Sequence, residues 1–362
     1  ERPELTASIP VGYDPVSVRF RTNGEVWAVN QVSDSVSVID LSRGVVVATI
    51  DTRIAPVGAF AAGRQPLDFG DERADVVFAG TPEMAYISCS QSNRVLVVDP
   101  DNPSAGAVDQ IEIFGEDPRM MQVSADGSKV YVAIFESGNG TTVLSGSRRI
   151  TLENLPNVVS NTGPYGGVNP PPNVGGVNGT FEPPVRRGNP TPVRVSLIVR
   201  KQDDGRGLDD NDQDWTPWVS GPQAAASGRV PGWDIADNDI AVIDTATNTV
   251  SYVQRMMNLC MAIGVNPVSG DVTMVGTDAL NEVRFEPNLN GTFVRVLFAS
   301  VSGAGSGVAR VEDLNGHLDY TEPTIAQLER DFSIGEPAPT YSVVTGKKSP
   351  APPQPRASDP TP

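Results

Sequence analysis

Three runs in this chain, Val36-Ser37-Val38-Ile39-Asp40, Val95-Leu96-Val97-Val98-Asp99 and Ile240-Ala241-Val242-Ile243-Asp244, repeat one pattern. A recurring unit of this kind is a supersecondary piece that cannot bury its apolar face alone and must stack on a neighbouring copy. Each run is preceded by a second strand-like segment, at Glu25 to Asn30, Met84 to Cys89 and Lys129 to Ile134. A further strand ends in a turn such as Asn23-Gly24 or Asp126-Gly127, and another follows at Val45 to Ile50, Val108 to Ile113 and Thr249 to Val253. A fourth unit reads as Leu259 to Val265, Val272 to Gly276, Glu282 to Phe285 and Phe293 to Phe298.

Four short strands joined by Gly, Asn and Asp turns, in units of roughly 40 residues, predict an all-β fold, a β-propeller of four-stranded blades. The near-continuous apolar character of the repeated runs fits strands covered on both faces. About four blades are recognisable, with Leu5 to Ile9 as a leading strand from a preceding blade. The ring is incomplete as read, which leaves a closed ring of few blades, an open arc, or a piece of a longer propeller protein. An uncapped arc would expose strand edges and self-associate.

Composition agrees: 32 prolines and 35 glycines in 362 residues argue against long helices. With 27 Lys plus Arg against 44 Asp plus Glu, the net charge of −17 repels a polyanion, so nucleic acid is excluded as a partner. No apolar run approaches the roughly 20 residues of a membrane span. The chain opens on Glu1 with no basic-then-apolar leader, which suggests that its start has been removed.

The stretch from Val11 to Ile50 resembles the YVTN (YncE-like) family of β-propeller repeats. Its Gly-x-x-Pro opening stands at Gly12 to Pro15 and Gly115 to Pro118, and its Tyr-Val-x-Asn strand at Trp27 to Asn30 and Tyr131 to Ile134. Departures are Tyr86-Ile87-Ser88-Cys89 in the second unit and Val283-Arg284-Phe285-Glu286 in the fourth. The resemblance covers about Ser8 to Val143 and Asp237 to Ser300. It implies rings of seven blades and a periplasmic, cell-surface or secreted location. Some longer relatives carry haem domains, and the Cys-x-x-Cys-His of covalent haem is absent here.

The expected organisation is propeller over 1–143 and 237–344, an insertion over 144–236 within the third blade, and a disordered Pro-rich tail over 345–362. A Pro-, Gly- and Asn-rich insertion of that length is functional or disordered. It leaves from the loop between second and third strands, so it is expected across one mouth of the central channel. Within it Pro192 to Val199 alternates like a strand. Trp215 and Trp218 could form a stacking platform for a sugar or aromatic ligand, although large aromatics more often pin an insertion to its host.

Asp210, Asp212 and Asp214 alternate as in the first half of a calcium loop, but the sixth position is Trp215 and the twelfth Gly221 where an EF-hand needs Gly and Glu. Asp313 and Asp319 flank the only histidine, His317, in a second oxygen-rich stretch. Calcium is therefore the one candidate cofactor, against the plainer reading of solvated acidic loops. Cys89 and Cys260 lie a blade apart and read as buried, inert thiols rather than a disulfide. With one His, no Gly-x-Ser-x-Gly elbow and no phosphate loop, no catalytic residue is assigned. The reading that covers these features is a non-catalytic extracytoplasmic propeller, a binding or scaffold module presenting one face to a protein or carbohydrate partner. The alternative is a metal-dependent, calcium-type propeller enzyme or a fragment of a larger propeller redox protein.

Overall fold

Alternating apolar segments separated by Asn-Gly and Asp-Gly turns fold into nineteen strands among the residues that the computed structural model describes, which are 5–52, 72–144, 163–165, 197–209, 211–279, 294–303 and 309–318. The chain divides into two units, one of Glu1–Gly140, Ala236–Thr277 and Leu297–Glu312 and one of Thr141–Ile235, Asp278–Val296 and Asp313–Pro362.

The first sheet is the meander β1 (Pro15–Thr22), β2 (Glu25–Asn30), β3 (Ser35–Asp40) and β4 (Val45–Asp51). The second repeats it with β5 (Arg73–Ala79), β6 (Met84–Cys89), β7 (Arg94–Val98) and β8 (Ala107–Glu112). The third begins with β9 (Glu116–Val123) and β10 (Lys129–Glu136). Then come β11 (Thr141–Leu144), β12 (Leu197–Lys201) and β13 (Gly207–Asp209), a three-stranded sheet of the second unit. The third sheet resumes with β14 (Ile240–Asp244), which pairs directly with β10, and closes with β15 (Val250–Val253). The fourth is β16 (Leu259–Val265), β17 (Val272–Ala279), β18 (Val294–Val301) and β19 (Arg310–Asp313).

Every pairing in these sheets is antiparallel, and the register repeats between them: Phe20 faces Val26, Phe78 faces Ala85, Val123 faces Val130 and Val265 faces Val272. Faces then stack in chain order. Trp27, Val29, Val36 and Val38 of the first sheet pack on Val76, Ala85, Ile87 and Leu96 of the second. Val77, Tyr86, Val95 and Val97 pack on Met121, Val130, Val132 and Ala241 of the third. Tyr131, Ile240 and Val242 pack on Ile263, Val272, Met274 and Leu297 of the fourth. The first strands adjoin in turn, β1 beside β5, β5 beside β9 and β9 beside β16. Four-stranded meanders stacked by their faces around adjoining first strands make an all-β, propeller-like fold.

The aspartate that ends each repeated run is turn chemistry. Asp40 Oδ1 accepts the Arg43 N–H at 3.1 Å, Asp99 Oδ1 the Asp101 N–H at 2.9 Å, and Asp244 Oδ1 the Ala246 and Thr247 N–H groups at 3.1 Å. Each carboxylate closes the third-to-fourth strand turn as an Asx-turn. Before the third strand the chain takes a left-handed residue in two sheets, Asp34 at φ 45° and Asn93 at φ 54°, types that tolerate that conformation.

Two sequence expectations are corrected. Leu5 to Ile9 is not a strand; residues 5–12 are irregular, and Ile9 and Val11 lie on Val26, Ala28 and Ile39 of the first sheet. In the fourth sheet the third strand is β18, because Val294–Val301 carries a longer alternation, and the outermost is β19, read above as part of an oxygen-rich loop. Glu282 to Phe285 lies outside the described residues.

Candidate functional site

Polar groups concentrate on the first strands and at the end of the stack where chains pass from sheet to sheet. Alternation turns Ser17 and Arg19 of β1 toward the second sheet, where Asp75 of β5 is buried with 2% exposure. Arg19 donates from Nε to Asp75 Oδ1 at 2.9 Å and from Nη2 to Oδ2 at 2.6 Å. Ser17 Oγ donates to Oδ1 at 2.6 Å, the Val76 N–H to Oδ1 at 2.9 Å, and the Met121 N–H of the third sheet to Oδ2 at 3.0 Å. Five donors fill the carboxylate, and the Asp75 side chain pushes the Arg19 pKa up. Asp75 therefore clips three sheets together and has no lone pair left for substrate.

At the sheet-crossover end, Arg119 of β9 donates from Nε to Asp117 Oδ2 at 2.8 Å, and its guanidinium carbon lies 4.1 Å from the centre of the Phe135 ring. The hydrogen bond that Arg119 donates to Asp117, with the charges of Asp117, Glu72 and Glu136, raises the Arg119 pKa. Gln31 Nε2 donates to Glu72 Oε2 at 2.8 Å. Asp117 stands at φ 63°, held by its N–H donating to Asn93 Oδ1 at 2.9 Å. The result is an acidic rim around one partly exposed guanidinium on an aromatic ring.

A second buried carboxylate, Asp239, stands just before β14 and is fully enclosed. Its Oδ2 accepts the Met256 N–H at 2.9 Å and its Oδ1 the Met257 N–H at 3.2 Å, which fixes the crossover into β16. Burial, then the charge of Asp237, pushes its pKa up to about 7 against the pull of those amides. Ser137 Oγ lies 3.1 Å from Oδ1 and 2.8 Å from the Met257 carbonyl. Cys260 Sγ is 3.6 Å from both oxygens, and burial pushes its thiol pKa up.

No family model matches the chain, and no curated protein matches it. Solved structures do at low similarity. Hydrazine synthase from Kuenenia stuttgartiensis is 11% identical over 87% of this chain and 69% of that one, with a TM-score of 0.35. A protein assigned as a 6-phosphogluconolactonase from Bacteroides uniformis is 16% identical over 84% of this chain and 71% of that one, with a TM-score of 0.34. Virginiamycin B lyase from Staphylococcus aureus is 10% identical over 84% and 70%, with a TM-score of 0.29. No residue role is carried over from these likenesses.

The residues singled out from sequence fall as follows. Trp215 is enclosed, 1% exposed, in a core with Leu144, Val199, Val219 and Ile235 against which Trp218 packs. Its indole N–H donates to Asp209 Oδ2 at 2.9 Å, where the Tyr165 hydroxyl also donates at 2.7 Å. Asp209 Oδ1 accepts the Asn211 and Gln213 N–H groups at 2.8 and 3.0 Å. Asp209, which sequence reasoning passed over, is thus the knot of the second unit's loop. Its signal was its place beside a buried tryptophan rather than its place in an acidic run.

Asp212 is exposed at φ 62°, and Asp214 Oδ1 accepts the Thr216 N–H at 2.9 Å in another turn. Asp313 ends β19, 3.6 Å from Arg295, and its Oδ1 accepts the Asn315 N–H at 2.8 Å. Asp210 and Asp319 lie outside the described residues. Among the described residues no three acidic, His or Cys side chains converge as metal ligands. Cys89 and Cys260 are buried in different cores, the first and second sheets' and the third and fourth sheets', and no disulfide joins them. No described helix is long and apolar enough to cross a membrane.

Proposed function

We propose that the chain is a non-catalytic, extracytoplasmic β-propeller module of the YVTN type. It binds a protein or carbohydrate partner through the crossover end of the stack. The observation that carries this reading is the saturation of Asp75: the carboxylate nearest the adjoining first strands takes five donors and is structural. The groups left facing solvent, Arg119 on Phe135 and the carboxylates around it, suit hydroxyl-rich or cationic ligands and repel polyanions. The resemblance in the repeated runs supports the periplasmic, cell-surface or secreted location.

The alternative, a calcium-using enzyme built on Asp210, Asp212 and Asp214, predicts that calcium binds the folded state and raises its melting temperature. Melting in calcium chloride and in chelator separates the two readings. An unchanged melting temperature supports the binding module. A rise that disappears in the Asp212→Ala, Asp214→Ala variant supports the alternative.

A further inference from the structure

Five Asn-Gly pairs occur in the chain, beginning at Asn23, Asn139, Asn178, Asn290 and Asn315. In this dipeptide the glycine has no Cβ, so its backbone nitrogen is open to the side-chain amide before it, which makes the asparagine labile. Asn178 and Asn290 lie outside the described residues. The fold treats the other three differently.

Asn23-Gly24 is the whole link between β1 and β2, closed where Thr22 faces Glu25. Both residues are exposed, nothing lies within 4 Å of the place a Gly24 Cβ would take, and no hydrogen bond among the described residues holds the Asn23 side chain. The Gly24 N–H meets only the exposed Thr22 Oγ1 of the same turn, at 3.2 Å. Asn139 is the contrast: it is half-buried, and the buried Gly140 donates its N–H to the Ala236 carbonyl at 2.9 Å. Asn315 is half-buried too, with its N–H donating to Asp313 Oδ1 at 2.8 Å and its carbonyl accepting the Leu318 N–H at 2.9 Å. At the matching turn between β9 and β10, Asp126 Oδ1 is tied by Ser124 Oγ at 2.7 Å and the Ser128 N–H at 3.0 Å, and the Gly127 N–H by the Ser124 carbonyl at 2.9 Å.

We propose that Asn23 is a site of spontaneous covalent modification in the folded protein, where it loses its side-chain amide to become aspartate and isoaspartate. The Gly24 nitrogen gives up its proton and attacks the Asn23 side-chain carbonyl carbon. The new C–N bond closes a five-membered succinimide while the C–NH2 bond breaks, and ammonia leaves with that proton. Water then opens the ring: cleavage at the side-chain carbonyl leaves aspartate, cleavage at the backbone carbonyl leaves isoaspartate, and no oxidation state changes. Isoaspartate carries the main chain through the former side chain. That lengthens the turn by one carbon and draws the Gly24 carbonyl off the Leu41 N–H, which it now meets at 2.9 Å.

Peptide mapping by mass spectrometry, on the full chain held in mildly alkaline buffer, tests this. Asn23 is expected to convert roughly tenfold faster than Asn139, because the Gly140 amide must first leave its hydrogen bond. In guanidinium chloride the two rates should converge, since the dipeptide is the same. Gly24→Ala places a methyl in open space in the fold but crowds the attacking nitrogen, so it should slow Asn23 and leave the Asn139 rate unchanged. An Asn23 that keeps its amide in the folded chain while converting in denaturant overturns the proposal. So does an Asn139 that converts as fast as Asn23 in the folded chain, or an Asn23 rate unaffected by Gly24→Ala.

Discussion

Arg19 of the first sheet and Asp75 of the second meet through two hydrogen bonds, and the same carboxylate holds the Met121 amide of the third. One ion pair therefore sets the relation of three sheets. Arg19→Ala leaves a buried carboxylate short of two of its donors. The cost is expected at about 2–4 kcal/mol, near the low end for a broken buried pair because Arg19 keeps 32% side-chain exposure. Urea unfolding of Arg19→Leu, Asp75→Leu and the double variant that combines them reads the coupling, with the double variant expected to lose less than the sum of the singles.

Asp239 gives stability a pH dependence of definite sign. Its carboxyl titrates near 3.8 when unfolded and at about 7 when folded. Between those values the native state holds a proton that the unfolded chain has released, so stability falls as pH rises from about 4 to about 7 and is level above. About three pH units at 1.36 kcal/mol each put the fall on the order of 4 kcal/mol. Urea midpoints of Asp239→Asn should show most of that slope removed and a gain at pH 8. A parallel pH profile for parent and variant would sink the assignment.

The two thiols should be silent in the folded protein. Both are buried, and burial raises the Cys260 pKa, so the reactive thiolate is scarce. An aromatic disulfide reagent is expected to titrate no thiol in buffer at neutral pH and two in guanidinium chloride.

In the second unit, Trp215→Ala removes the centre of a small core and the indole donor to Asp209. A loss of about 3–5 kcal/mol is expected for a buried aromatic truncation, and it should be local. Hydrogen exchange would show faster amides in β12 and β13 and unchanged amides in β6 and β7.

Gly276 of β17 tests the backbone itself. A Cβ there would run into the Leu259 carbonyl across the β16 bulge and crowd the Met257 sulfur. Gly276→Ala is expected to cost about 1–3 kcal/mol through this overpacking, read as a lower urea midpoint with an unchanged slope.

Much of this architecture was legible in the chain. β2, β6, β14 and β16 begin and end where their alternation does, since a half-buried or doubly covered strand needs apolar residues at fixed intervals. The strand order of the fourth sheet was not, because two competing apolar runs, Val283 to Phe285 and Val294 to Phe298, differ only in how far alternation continues. The roles of Asp75 and Asp239 were invisible for another reason. Each is defined by partners distant in sequence, Arg19 for one and the Met256 and Met257 amides for the other, and spacing along the chain carries no trace of such contacts. The acidic run at Asp212 and Asp214 was open to two readings for a third reason: alternating carboxylates serve a metal or a turn equally well, and Asp214 Oδ1 accepts the Thr216 N–H of a turn.

Because the apolar faces of the four described sheets pack each sheet on the next in chain order, cooperativity in this protein is short-ranged. A defect in β7 is felt by two neighbours and fades beyond them.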